Sequence, residues 1–134
     1  MKVFIDTSFF KALVDPKDDF HPEALRIWET LRRKEVNFVT SNYILDEVFT
    51  LLRARCGIKT VLEFKKIIAQ SASIIKIVRI TVADEILAWE WFDKDWSKLS
   101  FTDCTSFAIC KRLRIKKALF FDIHFKRAGL ETLK

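Results

Sequence analysis

Four acidic residues have the types and positions needed for chemistry on a charged substrate. Asp6 ends a short apolar run near the N-terminus, and Asp122 ends another near the C-terminus. Glu47 and Asp103 lie near the starts of two predicted helices. In a parallel α/β sheet the carboxyl ends of the strands open at one edge, where ligands bind. We therefore expect the four carboxylates to meet at that edge.

A cluster of four carboxylates restricts the chemistry of the site. Carboxylates that lie close together repel one another, and burial disfavours their ionised forms. A divalent cation would neutralise such a cluster, and all-oxygen ligands select Mg²⁺ or Mn²⁺ over zinc. A metal of this kind activates water for attack on a phosphodiester. The net charge of +6, from 24 Lys and Arg against 18 Asp and Glu, favours an anionic partner such as nucleic acid, although charge alone does not decide it.

Asp6 also has simpler structural explanations. It could end its strand, or it could act as a helix cap. The hydroxyl groups of Thr7 and Ser8 could themselves cap a helix that runs on from Phe9. The sequence leaves these alternatives open.

The other three carboxylates have comparable alternatives. Ser100 and Asp103 match a capping box, in which the Asp103 side chain would accept a hydrogen bond from a backbone N–H. Glu47 could be a border residue whose charged group reaches water, next to a solvent-facing Asp46. Asp122 could simply cap the turn that follows its strand. These separate structural roles would not explain why all four carboxylates are expected at the same edge of the sheet.

The elements that must position these residues alternate along the chain. Short apolar runs predict strands, at residues 3–5, 36–39, 74–80 and 118–121. Amphipathic segments predict the helices between them, at residues 9–14, after Pro22, before Gly57, and at 60–70, 82–95 and 100–113. This alternation favours an α/β fold with a parallel sheet covered on both faces, and the length fits a single domain over residues 1–134. Cationic residues place the third strand at a sheet edge, and residues 124–134 could form a short helix and a frayed last strand.

Composition excludes several other classes of protein. No apolar run approaches the length of a membrane span, and the N-terminus lacks the apolar region of a signal peptide. The three cysteines have no metal-ligand spacing and are expected to be reduced, which is typical of a cytoplasmic protein. The two glycines form no phosphate-binding loop.

Further polar residues are weaker candidates. Asp18, Asp19 and His21 lie in a polar connector and are expected to be solvated rather than to bind metal. Lys11, one short helix from Asp6, is the preferred candidate for a contact with substrate. The cations of residues 111–117 lie toward the far end of their helix and are discounted.

Aromatic residues are concentrated between Trp89 and Trp96. They surround more than one face of the predicted helix, so they suit a combination of core and partner-facing surface. Either a second copy of the chain or another protein could cover that surface.

Four short motifs occur in an order that resembles a known family. They are IDTS at residues 5–8, DEV at 46–48, LSFTDC at 99–104 and FDIHF at 121–125. In these motifs and in length the chain resembles the PIN-domain nucleases, and among them the VapC-type toxins of toxin–antitoxin pairs. The resemblance covers essentially the whole chain.

The resemblance implies a three-layer α/β/α sandwich with a central parallel sheet of four to five strands. It also implies a Mg²⁺- or Mn²⁺-dependent endoribonuclease that forms a homodimer and is blocked by a small antitoxin. The motif positions imply four metal ligands that are also the catalytic residues: Asp6, Glu47, Asp103 and Asp122. Thr7 and Ser8 match hydroxyl residues that flank the first ligand, and with Lys11 they are the candidate substrate-binding residues. His124 follows in the last motif, where a surface loop would explain it, and is assigned no catalytic role.

Two other functions stay open from the sequence. A PIN-type nuclease could process RNA without an antitoxin. A non-catalytic α/β binding module, such as a receiver-like domain, would also place acids at this edge. A receiver-like domain should use a lysine at the end of its last strand, however, and none is clearly placed there.

Overall fold

A computed structural model describes residues 1–133, and its centre is a parallel sheet. In chain order the strands are β1 (Lys2–Ile5), β2 (Asn37–Ser41), β3 (Ile75–Val78), β4 (Lys117–Leu119) and β5 (Glu131–Thr132). Their order across the sheet is β3-β2-β1-β4-β5, and every pairing is parallel. The predicted parallel sheet is confirmed, as is the edge position of the third strand.

Seven helices are described around this sheet. They are α1 (Thr7–Val14), α2 (His21–Leu31), α3 (Asn42–Arg55), α4 (Ile58–Gln70), α5 (Val82–Phe92), α6 (Phe101–Leu113) and α7 (Ile123–Arg127). Helix α1 packs against α2, α3 and α4, whereas α5 packs mainly against α6. The architecture is the α/β/α sandwich that the resemblance implied.

Strand β1 lies in the middle of the sheet and carries the most deeply buried residues. Val3, Phe4 and Ile5 have no exposed surface. Successive side chains of a strand point to opposite faces, so both faces of the sheet are covered at this point. The Phe4 ring stacks on Phe125 of α7, with centroids 6.3 Å apart. Burial on both faces explains why this strand is a continuous apolar run rather than an alternating one.

Several predicted boundaries were wrong, and each has a local reason. Helix α1 begins at Thr7 rather than Phe9, because Asp6 is its N-cap. Strand β4 ends at Leu119 rather than at residue 121. In α2, Leu25 is exposed, because Ala24 and Ile27 occupy the core-facing side.

The C-terminal segment forms a last short strand. Helix α7 is followed by Gly129, whose φ of 93° suits the turn back toward the sheet. Lys117 of β4 then pairs with Glu131 of β5. The predicted short helix and last strand are confirmed, and only Lys134 lies outside the described residues.

Helix α5 and the residues after it contribute side chains both to the core and to the surface. Trp91 and Trp96 pack partly against the core. Val82, Ile86 and Trp89 are exposed and follow one another at helical spacing along α5. Over residues 1–133, no helix is both long and apolar enough to cross a membrane.

Candidate active site

The four predicted carboxylates line one cavity at the carboxyl edge of the sheet. The cavity has a volume of about 400 Å³ and contains side chains of Asp6, Glu47, Asp103 and Asp122. They come from the end of β1, from α3, from α6 and from the segment between β4 and α7. The convergence expected from the sequence is therefore present in the fold.

Asp6 is the most buried of the four, with 2% of its surface exposed. Its backbone N–H extends the pairing of β1 with β4 by donating to the carbonyl oxygen of Leu119 at 3.1 Å. Its Oδ2 accepts hydrogen bonds from the backbone N–H of Ser8 at 3.2 Å and from the Ser8 hydroxyl at 2.7 Å. Its Oδ1 is buried and has no hydrogen-bond partner within the described chain. Burial, followed by repulsion from Asp103, raises the pKa of Asp6 to about 8.

Ser8 connects two parts of the site. Its hydroxyl donates to Asp6 and also accepts a hydrogen bond from the backbone N–H of Phe121 at 3.0 Å. Phe121 directly precedes Asp122, so one side chain fixes the start of α1 against the segment that carries another acid. The adjacent Thr7 hydroxyl is buried and unpaired in the described structure, and it lines the same cavity. Contacts of Thr7 and Ser8 with substrate stay predictions.

Asp103 forms the capping box that the sequence suggested. Its backbone N–H donates to the Ser100 hydroxyl at 3.0 Å, and its Oδ2 accepts from the Ser100 backbone N–H at 3.4 Å. Burial, followed by repulsion from Asp122, raises the pKa of Asp103 to about 6. Glu47 adds a smaller repulsion. Capping and cavity lining are therefore combined in one residue, so the two interpretations were not alternatives.

Asp122 and Glu47 complete the cluster. Asp122 is the N-cap of α7, and its Oδ1 accepts from the His124 backbone N–H at 2.8 Å. Glu47 is half-buried at the cavity wall, whereas Asp46 is exposed, as predicted. Asp6, Asp103 and Asp122 thus each sit at the start of a helix, where the helix dipole favours negative charge.

The residues of the cavity fit a hard divalent cation. The donors are carboxylate oxygens, and Asp6 Oδ1 is buried without a partner within residues 1–133. Burial, followed by repulsion from neighbouring carboxylates, raises the pKa values of Asp6 and Asp103. In residues 1–133, no three His, Cys, Asp or Glu side chains are already grouped as a metal site. Mg²⁺ needs only one or two direct carboxylates because it keeps several waters. The cluster therefore suits Mg²⁺ or Mn²⁺ bound partly through water.

The connector before α2 was wrongly predicted to be solvated throughout. Asp18 lines the cavity, and its Oδ2 accepts a hydrogen bond from Lys11 Nζ at 2.8 Å. Lys11 also pairs with Asp15 at 3.1 Å. Burial lowers the pKa of Lys11, but the hydrogen bonds to Asp18 and Asp15 outweigh it, and the net effect is a raised pKa. Lys11 lines the cavity as part of an ion-pair cluster, and its contact with substrate stays a prediction.

The other connector residues do not approach the four acids as metal ligands. Asp19 is exposed, as expected. His21 Nδ1 lies 2.7 Å from the carbonyl oxygen of Ala12. The surface-loop explanation of His124 was wrong, because His124 is 5% exposed and its ring stacks on Trp96 with centroids 6.1 Å apart.

Phe20 is another cavity residue that the sequence did not indicate. It is 45% exposed, lines the cavity of the four acids and stacks on Phe121. The available signal was a single aromatic residue inside an otherwise polar connector, directly before the first residue of α2. Periodicity could not find it because it lies in no periodic element.

The fold and this site define a class of protein. The family model described as PIN domain matches residues 3–130. The chain therefore belongs to the PIN-domain family of nucleases.

Particular relatives lie within that class. The chain is 36% identical over 133 residues to the 23S rRNA-specific endonuclease VapC20 of Mycobacterium tuberculosis, with 98% of each chain covered, for both strain CDC 1551 / Oshkosh and strain H37Rv. The crystal structure of M. tuberculosis VapC20, described as a sarcin–ricin loop cleaving toxin, is similar with a TM-score of 0.85, 34% identity and 96% coverage of each chain.

Two more distant structures share the fold alone. VapBC2 from Rickettsia felis, bound to a DNA fragment from its promoter, has a TM-score of 0.68 at 11% identity, with both chains fully covered. FitAcB from Neisseria gonorrhoeae has a TM-score of 0.67 at 14% identity, covering 100% of this chain and 97% of that one. The predicted fold class, the PIN-domain membership and the nuclease class are confirmed.

Proposed function

We propose that this chain is a Mg²⁺- or Mn²⁺-dependent endoribonuclease whose substrate is the sarcin–ricin loop of 23S rRNA. The observation that carries the proposal is Asp6 Oδ1, a buried carboxylate oxygen without a partner in residues 1–133, in a cavity that also holds Glu47, Asp103 and Asp122. The identity to VapC20 over nearly the whole chain supports the choice of substrate.

Asp6, Glu47, Asp103 and Asp122 would hold the cation, and they are the proposed catalytic residues. When bound, the cation supplies a Lewis acid that activates water and neutralises charge on the phosphodiester. Without it, Asp6 keeps a proton near neutral pH, since its pKa is about 8. Binding of the cation at Asp6 therefore requires that proton to be released. Ser8 keeps Oδ2 of Asp6 engaged, which leaves Oδ1 as the free oxygen.

The chain carries a net positive charge although this cavity is acidic. The net charge of +6 includes the acids of the cavity itself, so the remaining surface is more basic still. Lys and Arg side chains would bind the phosphates that flank the scissile bond. Thr7, Ser8 and Lys11 are the proposed substrate contacts inside the cavity, and Lys11 would have to exchange an ion pair with Asp15 or Asp18 for one with phosphate.

We propose the same protein partners that the resemblance implied. The chain would act as the toxin of a toxin–antitoxin pair, as a single-domain cytoplasmic homodimer. The exposed apolar row Val82, Ile86 and Trp89 on α5 is the surface that a second copy or an antitoxin would cover. Sedimentation analysis of the wild type and of an Ile86→Glu variant tests the dimer, which that buried charge should dissociate.

Cleavage of 23S rRNA in intact ribosomes tests the proposed activity. Wild-type protein should cut at the sarcin–ricin loop only when Mg²⁺ or Mn²⁺ is present. Glu47→Gln should reduce the rate by at least about 100-fold, whereas the matched control Asp46→Asn, one residue away on the solvent side of α3, should leave it unchanged. Equal loss in both variants, or cleavage in excess EDTA, would contradict the proposed mechanism.

A further inference from the structure

Phe20 is an exposed aromatic ring at the wall of the acidic cavity. Its ring lies parallel to Phe121, with centroids 4.4 Å apart and an interplanar angle of 7°. Phe121 in turn stacks on Phe9 of α1, at 6.0 Å and 16°. One face of Phe20 is thus supported by a stack of aromatic rings, and 45% of the residue remains exposed.

The position of Phe20 is fixed by the polar residues beside it. The Phe20 backbone N–H donates to Asp18 Oδ1 at 2.9 Å. The other oxygen of Asp18 accepts from Lys11 Nζ. Asp18 therefore attaches the residue to α1, and the ring does not depend on a free loop for its placement.

The surroundings of Phe20 suit a nucleic acid strand. Phe20 and Phe121 line the cavity that holds Asp6 and Asp122, where the proposed function puts the scissile phosphate. A second cavity of about 270 Å³ shares Phe121 and Asp122 with the first and contains Lys126. The stacked rings of Phe20 and Phe121 therefore lie between the proposed site of the scissile phosphate and Lys126, a cation that could bind a neighbouring phosphate.

We propose that Phe20 is a stacking platform for an unpaired base of the RNA, next to the phosphodiester that is cut. Unpaired RNA bases stack on exposed aromatic side chains. Such stacking accepts any base, because it does not require base-specific hydrogen bonds. The platform would hold the strand so that the neighbouring phosphate enters the acidic cavity. This inference rests on the proposed endoribonuclease function and adds a substrate-binding residue to it.

Single-turnover cleavage of a stem–loop RNA with the sarcin–ricin sequence tests the platform. The variants are Phe20→Ala, Phe20→Leu and Phe20→Trp, with Leu25→Ala as the control, because Leu25 is also an exposed apolar residue but lines neither cavity. The half-saturating protein concentration should rise about 5- to 100-fold for the alanine and leucine variants. The tryptophan variant and the Leu25 control should match the wild type.

An abasic scan of the RNA identifies the base concerned. Removing the base that stacks on Phe20 should weaken wild-type binding and abolish the difference between wild type and Phe20→Ala. A Phe20→Leu variant that cleaves like the wild type would overturn the platform, and would point instead to a contact with a protein partner. Failure of the proposed function has a different result, since the wild-type protein itself would then show no metal-dependent cleavage.

Discussion

The Ser8 hydroxyl donates a hydrogen bond to Asp6 Oδ2 at 2.7 Å, and Ser8 Oγ accepts one from the Phe121 backbone N–H at 3.0 Å. Ser8 Oγ therefore fixes Asp6 and the segment before Asp122 in position relative to each other. The hydroxyl groups after Asp6 were predicted to cap the helix or to touch substrate. The structure gives Ser8 a positioning role, and its contact with substrate stays a prediction.

Ser8→Ala should weaken metal-dependent cleavage without abolishing it. The change leaves the partly buried backbone N–H of Phe121 without its Ser8 acceptor and removes a donor from Asp6, which should cost about 1–2 kcal/mol of unfolding free energy. Loss of such a supporting hydrogen bond should raise the Mg²⁺ concentration for half-maximal activity about 10-fold or more. The measurement is a Mg²⁺ titration of the cleavage rate, with the exposed Ser97→Ala as control. An unchanged Mg²⁺ requirement would contradict the positioning role.

The metal-free protein should lose stability as the pH rises from about 4 to about 8. The folded state holds protons on Asp6 and Asp103 more tightly than the unfolded state does, because their pKa values are about 8 and about 6 against 3.8 in the unfolded chain. Stability is thus highest below the unfolded pKa, falls between the two values and levels off above the folded one. Urea unfolding in EDTA across this range measures the effect.

Asp6→Asn should remove part of that pH dependence. An amide keeps an oxygen for the Ser8 hydrogen bonds but carries no charge, so at about pH 8 the metal-free variant should be more stable than the wild type by on the order of 1–3 kcal/mol. Near pH 4 the two proteins should be similar. The exposed Asp46→Asn is the control and should retain the wild-type profile. A variant that is less stable than the wild type at both pH values would contradict a destabilising charge at Asp6.

Divalent cations should reverse the same destabilisation. At about pH 8, Mg²⁺ or Mn²⁺ at 100 times its dissociation constant should add about 2.7 kcal/mol to the unfolding free energy of the wild type. Asp6→Asn should show a much smaller gain, because it lacks the proposed ligand. Thermal unfolding against metal concentration is the measurement, and Ca²⁺-free buffer with Na⁺ at matched ionic strength is the control. Equal stabilisation of both proteins would remove Asp6 from the metal site.

The ion pair between α5 and α6 should contribute to stability but not to catalysis. Arg112 donates to both oxygens of Asp84, at 2.8 and 3.0 Å, and Asp84 is 1% exposed. Arg112→Ala leaves that buried carboxylate with its capping hydrogen bonds alone and should cost about 1–2 kcal/mol, reduced by the partial exposure of the arginine. Lys111→Ala, which removes an exposed pair with Glu90 and a contact of Nζ with the Trp91 ring at 5.9 Å, should cost less than about 1 kcal/mol. Urea unfolding distinguishes them, and loss of cleavage by Arg112→Ala without loss of stability would contradict this role.

The fold was largely predictable because its signals are local. Residues 3–5 are apolar without alternation, as a strand buried on both faces requires, and Asp6 follows them at once. Parallel topology then places the ends of the other elements at the same edge. The four acids could therefore be brought together from sequence order alone.

The missed features depend on contacts that have no local signal. Asp18 and Phe20 lie in a connector whose shape is set by the Lys11 ion pair, seven residues away. His124 was assigned to a surface loop, although Trp96 covers its ring through tertiary packing. For Asp103, the capping box and the functional cluster were treated as competing explanations, whereas the same carboxylate does both.

Three of the acids also cap helices, so the proposed site depends on the first turns of those helices staying folded. If the first turn of α1, α6 or α7 frays, the acid at its start loses its backbone hydrogen bonds and its aim into the cavity at the same time. If the proposed site needs all three acids, a brief local opening of any one of these turns should inactivate it. Helix α7 has only five residues and begins after Asp122, so we expect its first turn to be the least stable of the three. The fraction of molecules ready to cut at any instant should follow the amide exchange of that short helix, not the global unfolding of the protein.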